Sequence, residues 1–260
     1  MDHKKYTDGN RAAWNAAADA HRAMRWEIIL DELAGKRAGP MAVPALDMFE
    51  QIDYLGKDIL HLACNNGREL LWLKRQGAGR CVGIDIADKF IDQGRELSRL
   101  SGWPAEFFRA NILDLDDRYD GSFDFVLTTH GMFNWQPDLA ALMEVAARLL
   151  RPGGKLLIDE MHPLTWMMEP DKGEEFQYSY FDAETYSEAE PLDYYDGTSY
   201  DAPVRYEFQR PLGLVFQSIL DAGLRIASFK EFPIDTSGGL AHLENRKAQL
   251  PLSYNLIAEK

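Results

Sequence analysis

The sequence predicts an α/β protein with a Rossmann-like, seven-stranded, mostly parallel sheet and helices on both faces. Three observations carry this expectation. Between residues 58 and 161, short apolar runs alternate with segments of helical periodicity, which is the pattern of strands joined by crossover helices. The runs are apolar along their length rather than alternating, as strands covered on both faces require. Beyond Gly223, two strand-like stretches are joined by a loop alone, which predicts an antiparallel pair and an antiparallel C-terminal strand.

The N-terminal residues 1–55 are expected to form a helical cap or lid. Residues 10–20 are rich in strong helix formers, and a second piece starting near His21 carries Met24, Ile28, Ile29 and Leu33. Gly35, Gly39, Pro40 and Pro44 interrupt the pattern before a short helix around Leu46, Phe49 and Ile52. The main domain, residues 56–260, opens on Ile59-Leu60-His61-Leu62, a strand that runs into Ala63-Cys64-Asn65-Asn66-Gly67. Asn and Gly suit the backbone angles of a tight turn, and Leu70, Leu71 and Leu73 then begin a helix. Such a unit places free N–H groups and a helix start at the strand's carboxyl end, where open α/β sheets bind nucleotides. Arg80–Asp85, Ala105–Ala110, Phe123–Thr129 and Lys155–Glu160 supply the next four strands. Pro137 and Asp138 start the helix that ends at Arg151-Pro152-Gly153-Gly154.

An insertion at about 163–210 follows the fifth strand. It is acidic (Asp171, Glu174, Asp193 among others) and aromatic (Tyr194, Tyr195, Tyr200 among others), too aromatic for a disordered tether. Leu212–Ala222 reads as a helix, and 224–231 and 250–259 as the closing strands.

With 260 residues, 46% of them hydrophobic, the chain can bury a normal core. A net charge of −14 argues against nucleic-acid or anionic-membrane partners, which need basic patches. No apolar run approaches the roughly 20 residues of a membrane helix, and Met1–Tyr6 has no signal core. Cys64 and Cys81 fall in or beside apolar strands, as reduced core thiols do. The expectation is a cytoplasmic monomer or homodimer acting on a small molecule, without a bound metal, since no ligand cluster has diagnostic spacing. Asp85 closes the second strand, where an acid can accept hydrogen bonds from ribose hydroxyls.

In order and spacing, five segments resemble the motifs of class I S-adenosylmethionine-dependent methyltransferases. They are His61–Gly67, Val82–Asp85, Asn111 past the third strand, Phe123-Asp124-Phe125-Val126, and Leu149-Leu150-Arg151-Pro152-Gly153-Gly154. The sequence departs from the family's acid-x-Gly-x-Gly-x-Gly turn at His61, Ala63 and Asn65. Asn10–Trp14 with His21, the stretch Gly131–Asp138, and Glu160-Met161-His162-Pro163 resemble an uncharacterised bacterial branch of small-molecule methyltransferases.

The resemblance implies S-adenosylmethionine as cofactor and S-adenosylhomocysteine as product, with an oxygen or nitrogen as acceptor. It implies that Ala63, Cys64, Asn65 and Gly67 face the methionine part and that Asp85 holds the ribose. Ile86, Asn111 and Ile112 surround adenine, and Thr128 and Thr129 edge the methionine moiety. His162 and His130, each just past a strand's carboxyl end, are the expected catalytic residues, His162 as the base and His130 as a substrate or cofactor contact; the plain alternative for each is a hydrogen bond to loop backbone. Trp14 could close over the cofactor or pack within the N-terminal helices. The alternatives are a non-catalytic cofactor-binding module and a nicotinamide-dependent oxidoreductase, for which no G-x-G-x-x-G occurs at 61–69.

Overall fold

The computed structural model of the chain describes residues 3–168, 175–182, 184–192 and 199–260. Asp171, Glu174, Asp193, Tyr194 and Tyr195 of the acidic, aromatic insertion lie outside the described residues. The central sheet has seven strands: β1 (Ile59–Leu62), β2 (Cys81–Asp85), β3 (Glu106–Arg109), β4 (Phe123–Thr128), β5 (Leu150–Met161), β8 (Arg225–Phe232) and β9 (Ser253–Glu259). Their order is β3-β2-β1-β4-β5-β9-β8, with β9 antiparallel to both neighbours. The pairs β1–β2, β1–β4, β2–β3 and β4–β5 are parallel.

Every residue of β1 and β2 is buried, because helices cover both faces. On one face, α5 (Leu139–Leu149) and α6 (Leu212–Asp221) pack on Leu60, Leu62, Val126, Ile158 and Leu256. On the other, α1 (His3–Leu33), α2 (Val43–Glu50), α3 (Arg68–Arg75) and α4 (Asp88–Ser101) pack on Ile59, Leu127, Leu157 and Ile257. The strand order reverses at β1, which pairs β2 on one side and β4 on the other. That switch point opens a crevice at the carboxyl ends of the strands, where such sheets bind ligands.

The turn after β1 comes close to the sheet because of Phe107 on β3. A Cβ at Gly83 would sit 2.8 Å from that ring, and one at Gly67 would overlap it. The two glycines let one aromatic ring fill the space beneath the turn.

The helix expected in two pieces is a single one, α1. Ala17, Ala18 and His21 are buried, so the surface that a break would free is already occupied. α1 lies across α4 as a roof. Arg11 pairs with Asp88 through Nε and Nη2, and Asn15 Oδ1 accepts the Lys89 N–H (3.0 Å), which caps α4 from another helix. Farther along, Arg22 pairs with Glu96, and Arg68 Nε donates to Glu32 Oε2 (2.6 Å). β5 also starts earlier than expected: Leu150 pairs with Phe123 before the chain shifts register past Pro152-Gly153.

The insertion contributes a two-stranded antiparallel sheet, β6 (Thr185–Glu188) and β7 (Arg205–Phe208). Asn10 on α1 stitches it in place. Its amide donates to the carbonyls of Tyr206 (2.9 Å) and Trp135 (3.2 Å), and its Oδ1 accepts the Tyr206 N–H (2.7 Å). Asn10→Ala leaves these backbone groups unpaired, at a cost of about 1–3 kcal/mol. Urea unfolding should show a loss in that range, with Asn10→Asp, which keeps only the acceptor, falling between.

Candidate functional site

The turn between β1 and α3 has a regular backbone signature. Ala63, Asn65 and Gly67 have φ of +49°, +52° and +72°, left-handed at alternate positions. For Ala and Asn this conformation costs about 1 kcal/mol or more each, and such strain persists where the surroundings fix it. The turn therefore keeps the shape that three glycines would give. Its N–H groups are not free, contrary to the expectation from sequence. Those of Cys64, Asn65, Asn66, Gly67 and Arg68 go to Ile84 O, Asp85 Oδ2, Asn65 Oδ1, Cys64 O and Asn66 Oδ1.

Asp85 fixes that shape. Its Oδ2 accepts the Asn65 N–H and its Oδ1 the Ala87 N–H, both at 2.8 Å. Burial pushes its carboxyl up to about 6, against the pull of those donors. Each oxygen retains a lone pair for a further donor. Beside it, Ile86 is half-buried and Ile112 is buried. Asn111 caps the short turn after β3: its Oδ1 accepts the Leu113 N–H (3.3 Å) and its Nδ2 donates to Asp114 (2.9 Å).

A polar layer crosses the α1–α4 face at the carboxyl ends of β1, β4 and β5 and the amino end of the antiparallel β9. His61 is fully buried, and its Nε2 lies 3.0 Å from Thr129 Oγ1. Its Nδ1 has no hydrogen-bond partner among the described residues. Burial holds the imidazole down at about 4, so it is neutral at pH 7. Asp159, 2% exposed, pairs in register with Asn255 across β9 and leaves its Oδ1 without a partner among the described residues. Burial raises it to about 7; His130 works against that rise, and Glu160 and Glu69 add to it. On the opposite face, Glu160 accepts the N–H groups of Gly131, Phe133 and Met161, and so shapes the loop after β4. Burial pushes this acid also to about 7.

The expected site residues divide. Ala63, Cys64, Asn65, Gly67, Asp85 and Ile86 gather at the turn, and Thr129 and His130 join them from β4. Thr128 does not join them. It is the neighbour of Thr129, so strand alternation turns it to the α5 face, where its hydroxyl is buried. His162 is also displaced from its expected place. Its Nδ1 accepts the Leu164 N–H (3.2 Å), and its ring is edge-on to Tyr254. Its Nε2 lies 3.1 Å from Glu231 Oε1 on β8, in ion-pair range but poorly aligned for a hydrogen bond. One nitrogen thus faces β8 and the other the turn that follows β5. Burial lowers its basicity, and Glu231 opposes that. Trp14 packs edge-on against Trp135 (5.1 Å), Phe90 and His21 (5.9 Å each), so it belongs to the roof. Asp159, Glu160 and Glu69 were missed as site residues. The signal for the first two was present: acids closing an apolar strand.

A sheet of this order, with the reversed β9 beside β5 and a ligand turn at the switch point, defines the class I methyltransferase fold. Residues 60–158 match the family model for a methyltransferase domain. A ubiquinone biosynthesis O-methyltransferase of Xanthomonas oryzae pv. oryzae is 30% identical over 112 residues, 43% of this chain and 46% of that protein. The chain therefore spans about half the length of the curated relatives it matches. Among solved structures, an S-adenosylmethionine-dependent methyltransferase from Mesorhizobium loti aligns at TM-score 0.59 and 17% identity, covering 84% of this chain and 98% of that one. One from Listeria monocytogenes aligns at TM-score 0.62 and 14% identity, covering 83% and 96%. At these identities the likeness is one of fold.

The residues present fit the family's cofactor. The turn keeps three left-handed positions with glycine at only one of them, and Asp85 faces the crevice with acceptor capacity to spare.

The buried acids have a consequence for stability. The ordinary carboxyl of Asp159 would titrate near 3.8, and in the fold it titrates at about 7. Its contribution is thus fully present below pH 4 and is lost as pH rises through 7. His61, lowered by burial, changes in the opposite sense, but it cancels when wild type and Asp159→Asn are compared. Urea unfolding at pH 5 and pH 8 should show wild type losing up to about 2.5 kcal/mol relative to the variant.

Proposed function

We propose that the protein transfers the methyl group of S-adenosylmethionine to an oxygen or nitrogen of a small molecule, releasing S-adenosylhomocysteine. The observation that carries this reading is the alternately left-handed turn clamped by Asp85 at the switch point. The O-methyltransferase relatives favour oxygen as the acceptor. Among the described residues no helix is long and apolar enough to cross a membrane. The proposed setting is the cytoplasm, with the enzyme a monomer or homodimer.

When bound, the cofactor supplies an electrophilic methyl group on a good leaving sulfur. The protein's task is alignment, worth on the order of 7–11 kcal/mol in well-oriented cases. The roof α1 and the loop shaped by Glu160 exclude water and set the approach of the acceptor. The proton of a hydroxyl or ammonium acceptor passes to His130. That residue follows β4, is exposed at the carboxyl edge of the sheet and interacts electrostatically with both Asp159 and His61. Asp159 positions it and stabilises its charged form. The strands β6 and β7, with Tyr206 and Phe208 packed on Tyr6, border the acceptor side and select the substrate.

Calorimetry with S-adenosylhomocysteine tests the cofactor assignment; absence of binding at millimolar ligand would overturn it. Transfer of labelled methyl to a panel of phenols, carboxylic acids and amines tests the activity. With an accepted substrate, His130→Ala should lower kcat by about a hundredfold or more. His162→Ala should leave kcat within about threefold. The reverse ranking would return the base to His162.

A further inference from the structure

We propose that Glu69, with Asp159 and His61, forms the receptor for the ammonium group of the cofactor's methionine part. In this reading the acid of the family's first motif has moved from position 61, on β1, to the first turn of α3. The inference rests on the cofactor assignment above and concerns residues that assignment leaves unused.

Four observations lead to it. Position 61 carries a fully buried histidine in place of the acid, and burial keeps it neutral, so it does not repel a cation. If Nε2–H donates to Thr129 Oγ1, the partnerless Nδ1 becomes an acceptor for an ammonium N–H.

Next, Glu69 is the second residue of α3, two past Gly67, and its side chain is 17% exposed. Its carboxylate accepts no hydrogen bond among the described residues. Arg68 Nη1 stands 3.9 Å away, at the limit of ion-pair range, while Nε and Nη2 of the same guanidinium are held to Glu32. α3 packs on the sheet face that carries His61, Thr129 and Asp159. His61 Nε2 lies 3.0 Å from Thr129 Oγ1, and Thr129 and Asp159 directly follow the paired Thr128 and Ile158 of β4 and β5. The Glu69 carboxylate is felt electrostatically by both His61 and Asp159.

Third, Asp159 brings a second carboxylate, almost wholly buried, with one oxygen lacking a partner among the described residues. A buried polar atom without a partner costs free energy that a bound ligand can relieve.

Finally, the N–H groups of Cys64 to Arg68 are all spent within the turn and on Asp85. The turn therefore cannot cradle an anion in the manner of a phosphate loop. What it leaves beside Glu69 is acceptor capacity, the complement of an ammonium group.

The test uses two adenosyl thioethers. S-adenosylhomocysteine carries the amino acid part; methylthioadenosine lacks it. Calorimetry on wild type and Glu69→Gln should show S-adenosylhomocysteine weakened at least about tenfold by the substitution, and methylthioadenosine by less than about twofold. Glu69→Asp, which keeps the charge on a shorter stem, should retain an affinity nearer wild type, and it remains informative should the Gln variant fail to fold. Equal weakening of both ligands, or no change for either, would overturn the placement. Failure of both ligands to bind wild type would instead overturn the cofactor assignment, and this inference with it.

Discussion

The carboxylate of Asp85 is the constraint on which the rest of the site depends. It is desolvated, and it accepts one N–H from the turn after β1 and one from the start of α4. Two chain segments about twenty residues apart are thereby referred to one side chain at the end of β2. With Asn65 N–H tied down, the turn has little freedom, and left-handed angles at Ala63 and Asn65 become affordable. With Ala87 N–H tied down, α4 starts at a fixed height, and Asn15 and Arg11 of α1 find their partners there. The close approach of Phe107 beneath Gly67 and Gly83 completes the arrangement from below. Backbone strain, helix position and the packing of a strand are thus linked through one buried acid.

The roof follows from that arrangement. α1 meets α4 through bonds spread along its length, and it meets the insertion through Asn10 and through His21, whose Nε2 lies 3.0 Å from Leu192 O. The same helix therefore references the nucleotide side and the acceptor side of the crevice. Displacing α1 would disturb both, so substrate choice and cofactor retention share a structural element even though different residues make the contacts.

The sheet between residues 58 and 161 was legible because fully buried parallel strands announce themselves as apolar runs. Its parallel pairing followed from the way those runs alternate with helices. The faces of individual residues were less well read. Thr128 and Thr129 were expected to act together, although a strand's period of two separates them; that error was avoidable. His162 was placed by its nearness to a strand end. The turn at Pro163 carries Leu164 N–H onto its Nδ1, and β8 brings Glu231 to its other nitrogen, contacts that no local pattern encodes. The unbroken α1 had the same cause, since His21 is buried by residues 171 positions away in sequence. Glu69 reads from sequence as an ordinary acid in a helix's first turn. Only the packing of α3 on the sheet brings it to His61.

The polar layer also says what the fold alone would not have chosen. Asp159 and Glu160 are buried at the cost of ionisation pushed to about 7, and Asp85 at about 6. Well-packed apolar residues at such positions are often neutral or stabilising, so burial of this kind is weak support for stability. Glu160 answers with three backbone donors and Asp85 with two, which accounts for them as organisers of loops. Asp159 has no such compensation among the described residues, and His61 beside it keeps a bare nitrogen. Perturbed, uncompensated groups at the carboxyl edge of a sheet are where function is carried. The replacement of an acid by His61 in the first motif is therefore not a loss of polarity. On the proposed reading, acids on β5 and in the first turn of α3 take the place of the acid at position 61, around the expected methionine part of the cofactor.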